Sequence, residues 1–176
     1  MAVADVLERV MEFRTPLVQV TGGEPLLQAA VHPLMAMLCD EGRTVLLETS
    51  GACDISECDE RVIRIMDLKA PASGESRRND LANIDRLRSS DQVKFVIADR
   101  EDYEWARDII NTYRLADRVH AVLLSPAFPQ MATQELAGHL GLSPALLAAW
   151  MLEDSSSARL QLQQHKSIWD PKTRGV

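Results

Sequence analysis

The stretch "VQVTGGEPLLQ" (residues 18–28) decides how this chain is read. A β-branched run meets two adjacent glycines, an acid and a proline, and then apolar residues at helical spacing. That is a strand passing through a tight turn into a helix. The strand begins in "PLVQV" (16–20), and further strands are read at "TVLLE" (44–48), "VIRIMDLK" (62–69), "QVKFVIA" (92–98), "VHAVLLSP" (119–126) and "RLQLQ" (159–163). Helical faces fall between them. Val6, Leu7, Val10, Met11 and Phe13 make one over 4–13. Leu26, Leu27, Ala30, Val31, Leu34, Met37 and Leu38 make another over 26–40, stopped by Gly42. A short helix is read over 79–88. Asp99 caps the next, with Glu101 and Asp102 in its positive first turn and Trp105, Ile109, Ile110 and Tyr113 on its buried side. Two more are read at 132–140 and 144–152, the second opened by Ser143 and Pro144.

Strands separated by helices imply βα units and a mostly parallel α/β sheet. Both faces of such a sheet are covered, and functional groups collect at the carboxyl ends of its strands. That rule selects "TGGEP", "ETSG", "DLKAPASGE", "VIADRED" and "LSPAF" for inspection. A length of 176 residues suits a single domain over 1–176. A net charge of −7, a pI near 5.1 and no basic stripe argue against a nucleic-acid surface. No apolar run is long enough to span a bilayer, and the acid-containing N-terminus argues against a signal peptide. A cytoplasmic address without membrane attachment is the expectation.

Each strand end carries two readings. Thr21, Gly22, Gly23, Glu24 and Pro25 make either a tight βα turn, with Glu24 at a helix start, or a loop whose backbone a ligand approaches. Glu48 and Ser50 are either a solvated strand end or groups that meet ribose hydroxyls. Asp67 and Lys69 lie two apart on one side of a strand and can simply pair. Lys94 shares a face with Val96, opposite Val93, Phe95 and Ile97. There it needs Asp67, Glu48 or a ligand as counter-charge, or it snorkels from an edge. The three cysteines, Cys39, Cys53 and Cys58, are spaced C-x13-C-x4-C, which matches no compact metal pattern. Cys39 is read as a buried helical thiol and the other two as loop thiols. His165 is read as structural before catalytic, and no Ser/His/Asp or Cys/His constellation is evident.

Taken in order, "TGGEPLLQ", "ETSG", "MDLKAPASGE", "VKFVIADRED", "LSPAF" and "LQLQQHKSIWDPKTRGV" are specific. The chain resembles the 7-carboxy-7-deazaguanine synthases, radical S-adenosylmethionine enzymes of queuosine and deazapurine biosynthesis, over essentially its whole length. The resemblance implies a partial (β/α) barrel, open on one side, with the first strand missing. It implies S-adenosyl-L-methionine and a [4Fe–4S] cluster held by three cysteines as cofactors, with Mg2+ assisting. The implied reaction takes hydrogen from C6 of 6-carboxy-5,6,7,8-tetrahydropterin, contracts its ring and releases ammonia and 7-carboxy-7-deazaguanine. By position, Gly22, Gly23 and Glu24 meet the methionine amino group. Asp67, Leu68 and Lys69 contact the cofactor, with Glu48 and Ser50 on its ribose side. Thr21 contacts the pterin, and the terminal carboxylate of Val176 binds it. A homodimer is the family precedent.

The family's cluster motif, C-x3-C-x2-C upstream of the "TGGEP" strand, has no counterpart, because no cysteine precedes Cys39. The magnesium ligand beside that motif is missing as well. The expectation is therefore a chain without the N-terminal cluster segment, which alone binds no cluster and has no radical activity. The alternative is a non-catalytic partner or regulatory barrel that retains a nucleoside pocket.

Overall fold

A computed structural model describes residues 2–128, 141–164, 168 and 169. Its centre is a sheet of six strands: β1 (Leu17–Val20), β2 (Thr44–Thr49), β3 (Ile63–Leu68), β4 (Gln92–Ile97), β5 (Ala121–Pro126) and β6 (Arg159–Leu160). Every pairing is parallel, and the spatial order is the order in sequence. β1 and β6 stand at opposite ends, so the sheet is open. The helices are α1 (Val3–Met11), α2 (Val31–Asp40), α3 (Arg100–Thr112), α4 (Leu115–Arg118) and α5 (Pro144–Glu153). This is the expected partial, open α/β barrel. Among the described residues no helix is long and apolar enough to cross a membrane.

The register sorts the side chains, because paired residues of parallel strands share a face and successive residues alternate. Val45, Leu47, Met66, Leu68, Val93, Phe95, Ile97, Val122 and Leu124 fall on one face and are buried. They form one cluster with Met35 and Leu38 of α2, Tyr103, Ala106 and Ile110 of α3, and Leu147 of α5. The register Gln19↔Leu46, Glu48↔Ile65, Asp67↔Lys94 and Val96↔Ser125 puts Gln19, Glu48, Asp67, Lys94 and Ser125 together on the opposite face. One face of the sheet is thus a helix-covered core and the other a polar barrel interior.

Several elements differ from the sequence reading. The helix read over 26–40 is a single turn of tight helix, Pro25–Leu27, followed by α2 after a break. Residues read as a helix over 79–88 form a tight 3-10 segment, Leu81–Arg86, opened by the Asp80 carboxylate accepting from Ala82 N–H at 3.1 Å. The last strand pairs only over Arg159–Leu160, although Gln161 N–H still donates to the Leu124 carbonyl at 2.9 Å. The helix read over 132–140 lies outside the described residues. Cys39 is half-buried on α2, whereas Cys58, read as a loop thiol, is the buried one at 4% exposure. Its side chain joins the core cluster, and the Arg88 guanidinium donates to its carbonyl at 3.0 Å.

The amino end of the barrel is closed by a buried ion pair that the alternation pattern gave no reason to expect. Arg64 and Asp91 are 1% and 0% exposed. Asp91 accepts from Arg64 Nε at 3.0 Å, Arg64 N–H at 2.9 Å and Arg88 N–H at 2.7 Å. The Arg64 guanidinium also donates to the carbonyls of Ile55 and Arg86. Every charge is met, as burial requires.

Candidate functional site

At the carboxyl ends of β1, β2 and β3 lies a cavity of about 400 Å³. Gly23, Glu24, Ser50, Cys53, Lys69 and Asn79 line it, with Leu27 and Ala52 adding apolar surface. These residues come from the three connections that follow β1, β2 and β3, which only parallel strands in this order bring together.

The two glycines differ from the third one nearby. A side chain placed on Gly23 would meet nothing within 4 Å, and its backbone lies outside the left-handed region. Neither internal packing nor conformation therefore demands glycine there. Gly22 also faces open space, at a φ of 156°. Gly51 is the opposite case: its φ is 71°, and a Cβ would lie 2.8 Å from Met66 Cγ. The fold requires Gly51. It leaves Gly23 as an open floor.

Glu24 is half-buried, and its carboxylate is heavily used. Oε1 accepts from Leu26 N–H at 3.1 Å and from the Thr49 hydroxyl at 2.9 Å. Oε2 accepts from Ser50 N–H at 2.8 Å and from the Ser50 hydroxyl. The helix-start role is thus present, and the carboxylate also ties the first strand end to the second.

Other selected residues pair on the interior face. Glu48 accepts from the Thr21 hydroxyl at 3.4 Å and lies 3.6 Å from Lys94 Nζ. Lys94 is therefore a paired interior lysine, with Glu48 as the counter-charge. Lys69 Nζ donates to Asp67 Oδ2 at 2.8 Å, while the other carboxylate oxygen of Asp67 is buried without a partner. Leu68 is fully buried on the helix-covered face, so only its backbone is available to a ligand. Val176 and His165 lie outside the described residues.

Three polar side chains, two of them passed over in the sequence and the third read only as a helix-start acid, hold the connections in place. Asn79 accepts from Lys69 N–H and donates to the Lys69 carbonyl, both at 2.9 Å, folding the 70–79 loop back on its strand. Asn83, fully buried, donates to the carbonyls of Gly51 and Cys53 and accepts from Ile55 N–H. Asp102, read as a first-turn acid, also accepts from Ala72 N–H at 2.9 Å and Ala98 N–H at 3.0 Å. Only the general preference of Asn and Asp for backbone partners in loops marked them.

The cysteines do not assemble. Among the described residues no three His, Cys, Asp or Glu side chains are gathered as a metal ion needs. Burial pushes all three thiols up from their ordinary range. At Cys53 the Glu24 charge adds to burial, and at Cys58 Arg64 and Arg88 only partly offset it.

No protein-family model matches the chain. Its sequence is 45% identical over 163 residues to the 7-carboxy-7-deazaguanine synthase of Koribacter versatilis, covering 91% of this chain and 72% of that protein. It is 39% identical over 179 residues to the 7-carboxy-7-deazaguanine synthase of Chlorobaculum tepidum, covering all of this chain and 76% of that protein. The chain belongs to the 7-carboxy-7-deazaguanine synthase family. A third member, from Clostridium acetobutylicum, is 29% identical over 177 residues. The cavity just described is therefore the candidate active site of a 7-carboxy-7-deazaguanine synthase chain.

Proposed function

We propose that this chain binds S-adenosylmethionine and the pterin substrate for the conversion of 6-carboxy-5,6,7,8-tetrahydropterin to 7-carboxy-7-deazaguanine and ammonia. The observation that carries the reading is Gly23, a glycine with no structural need for glycine, on the floor of a cavity of small-ligand size. The lining fits a nucleoside with an amino-acid tail. Leu27 and Ala52 offer apolar surface to a base, while Lys69, Arg78, Glu24 and Glu75 offer both signs of charge. When bound and reductively cleaved, S-adenosylmethionine supplies the hydrogen-abstracting group, and the protein positions the reactants and excludes water. Gly23 lets the methionine end approach the backbone. Lys69, oriented by Asp67, stands at the cofactor's edge, with Ser50 on its ribose side. Glu48, also on the cofactor's ribose side in this reading, faces the interior with Thr21, which contacts the pterin there. The Val176 carboxylate is proposed as its partner from the family likeness alone.

The described residues do not fit a [4Fe–4S] cluster, and no Mg2+ ligand is assigned. We propose that the 176-residue chain by itself assembles no cluster and has no radical activity. Calorimetric titration with S-adenosylmethionine tests the pocket: the chain binds, and Gly23→Leu abolishes binding without changing thermal stability. Equal binding by both proteins would misplace the site. Anaerobic iron–sulfur reconstitution tests the second statement, and a stoichiometric cluster absorbance would refute it.

A further inference from the structure

We infer that Glu24 is a positioning residue and not a cofactor ligand, and that Thr49 is its partner in that role. The inference rests on the cofactor reading above and corrects one residue of it. Glu24 lies next to Gly23 at the cavity, which invites a direct role. Its oxygens, however, already accept from Leu26 N–H, the Thr49 hydroxyl, Ser50 N–H and the Ser50 hydroxyl. Two oxygens provide about four acceptor sites, so little capacity remains for an incoming ammonium.

The geometry of those bonds gives the carboxylate its work. Leu26 belongs to the turn that follows the glycines, and Thr49 and Ser50 end the neighbouring strand. Glu24 therefore fixes the glycine loop against β2 at a set height above the sheet. Thr49 is 2% exposed, on the covered face, and does not line the cavity. It touches the ligand site only through Glu24. Its oxygen also accepts from Gly51 N–H at 3.2 Å, which joins the turn after β2 to the same brace. A carboxylate held by charge-assisted bonds from both sides makes a stiff link. In this arrangement Gly22 and Gly23 present backbone to the cofactor because Glu24 does not move.

The test is a double-mutant cycle read by calorimetric titration of S-adenosylmethionine into the intact chain. Thr49→Val keeps the shape and removes the hydroxyl, and Thr49→Ser restores it. Thr49→Val and Glu24→Gln should each weaken binding about tenfold, the scale of one lost hydrogen bond to a charged group. Thr49→Ser should bind like the unaltered chain. The Thr49→Val, Glu24→Gln pair should bind no more weakly than either single variant, since both break one link. Unchanged binding in Thr49→Val overturns the inference, as does a double variant whose two factors multiply. If the unaltered chain does not bind the nucleoside, the cofactor reading fails, and the brace is judged by amide exchange alone. Faster exchange at Leu26 and Ser50 in Glu24→Gln then supports it, and unchanged exchange overturns it.

Discussion

At the scale of single residues, three glycines show how one residue type carries different information. In sequence, Gly22, Gly23 and Gly51 all sit just past strands and look alike. Gly51 is needed by the fold, with a left-handed backbone and Met66 where a side chain would go. Gly23 has an ordinary backbone and empty space beside it. The two therefore respond oppositely to the same change. Gly51→Ala should lower stability by about 1–3 kcal/mol, from left-handed strain and displacement of Met66. Gly23→Ala should leave the denaturant midpoint unchanged. Urea unfolding of both variants checks this, and a destabilised Gly23→Ala would remove the argument that its glycine serves a ligand. Glu24 makes a similar point. Its place in the motif marks it as important, but only its hydrogen-bond partners show what it holds.

At the scale of elements, the strand ends work because their connections are tied down by side chains. The 70–79 loop returns to β3 through Asn79 and to α3 through Asp102, and the 50–55 turn is held by Asn83. The opposite end of the barrel depends on Arg64 and Asp91, which join β3 and β4 to the loops at Ile55, Arg86 and Arg88. Removing one partner of a buried pair leaves an uncompensated charge, with a cost of about 3–5 kcal/mol. Asp91→Ala should therefore unfold far more readily than Asp85→Ala, whose carboxylate is exposed. Thermal melts compare them, and a similar midpoint for both would show that the pair is dispensable. Such a pair lies far from the cavity, so surviving folded protein should keep its nucleoside affinity.

At the scale of the molecule, helices on the outer layer must stay docked for the barrel to hold its shape. Tyr103 of α3 reaches across to α5, its hydroxyl 3.0 Å from the Trp150 carbonyl and 3.1 Å from Asp154 Oδ2. Burial, and then the hydrogen bond and charge of Asp154, push its phenol up from its ordinary value to about 12. The folded state thus holds this proton more tightly than the unfolded state does. Its contribution is complete below pH ~10 and is lost as pH rises toward ~12, by up to about 3 kcal/mol. Tyr103→Phe should flatten the stability profile across that interval in alkaline unfolding titrations. A profile as steep as that of the unaltered chain would assign the alkaline loss to another group.

The alternation of strands and helices, the parallel sheet and the family were all legible in the sequence. These depend on local periodicity and on short motifs that lie within one connection. It also placed the α3 cap correctly, since Asp99 accepts from Asp102 N–H at 2.9 Å as a cap should. It misread the region 26–40 because apolar spacing continues through the break after Leu27, where Gln28 takes an extended backbone before α2 begins at Val31. It could not choose between Asp67, Glu48 and a ligand as the partner of Lys94. That choice depends on register, which brings Lys94 across β3 to a strand 46 residues earlier in the chain. The same holds for Glu24 and Thr49, 25 residues apart and in contact only once β1 and β2 pair. Sequence records what each strand end carries. Which groups meet there, and which remain free for a ligand, is set by distances between strands that no local pattern encodes.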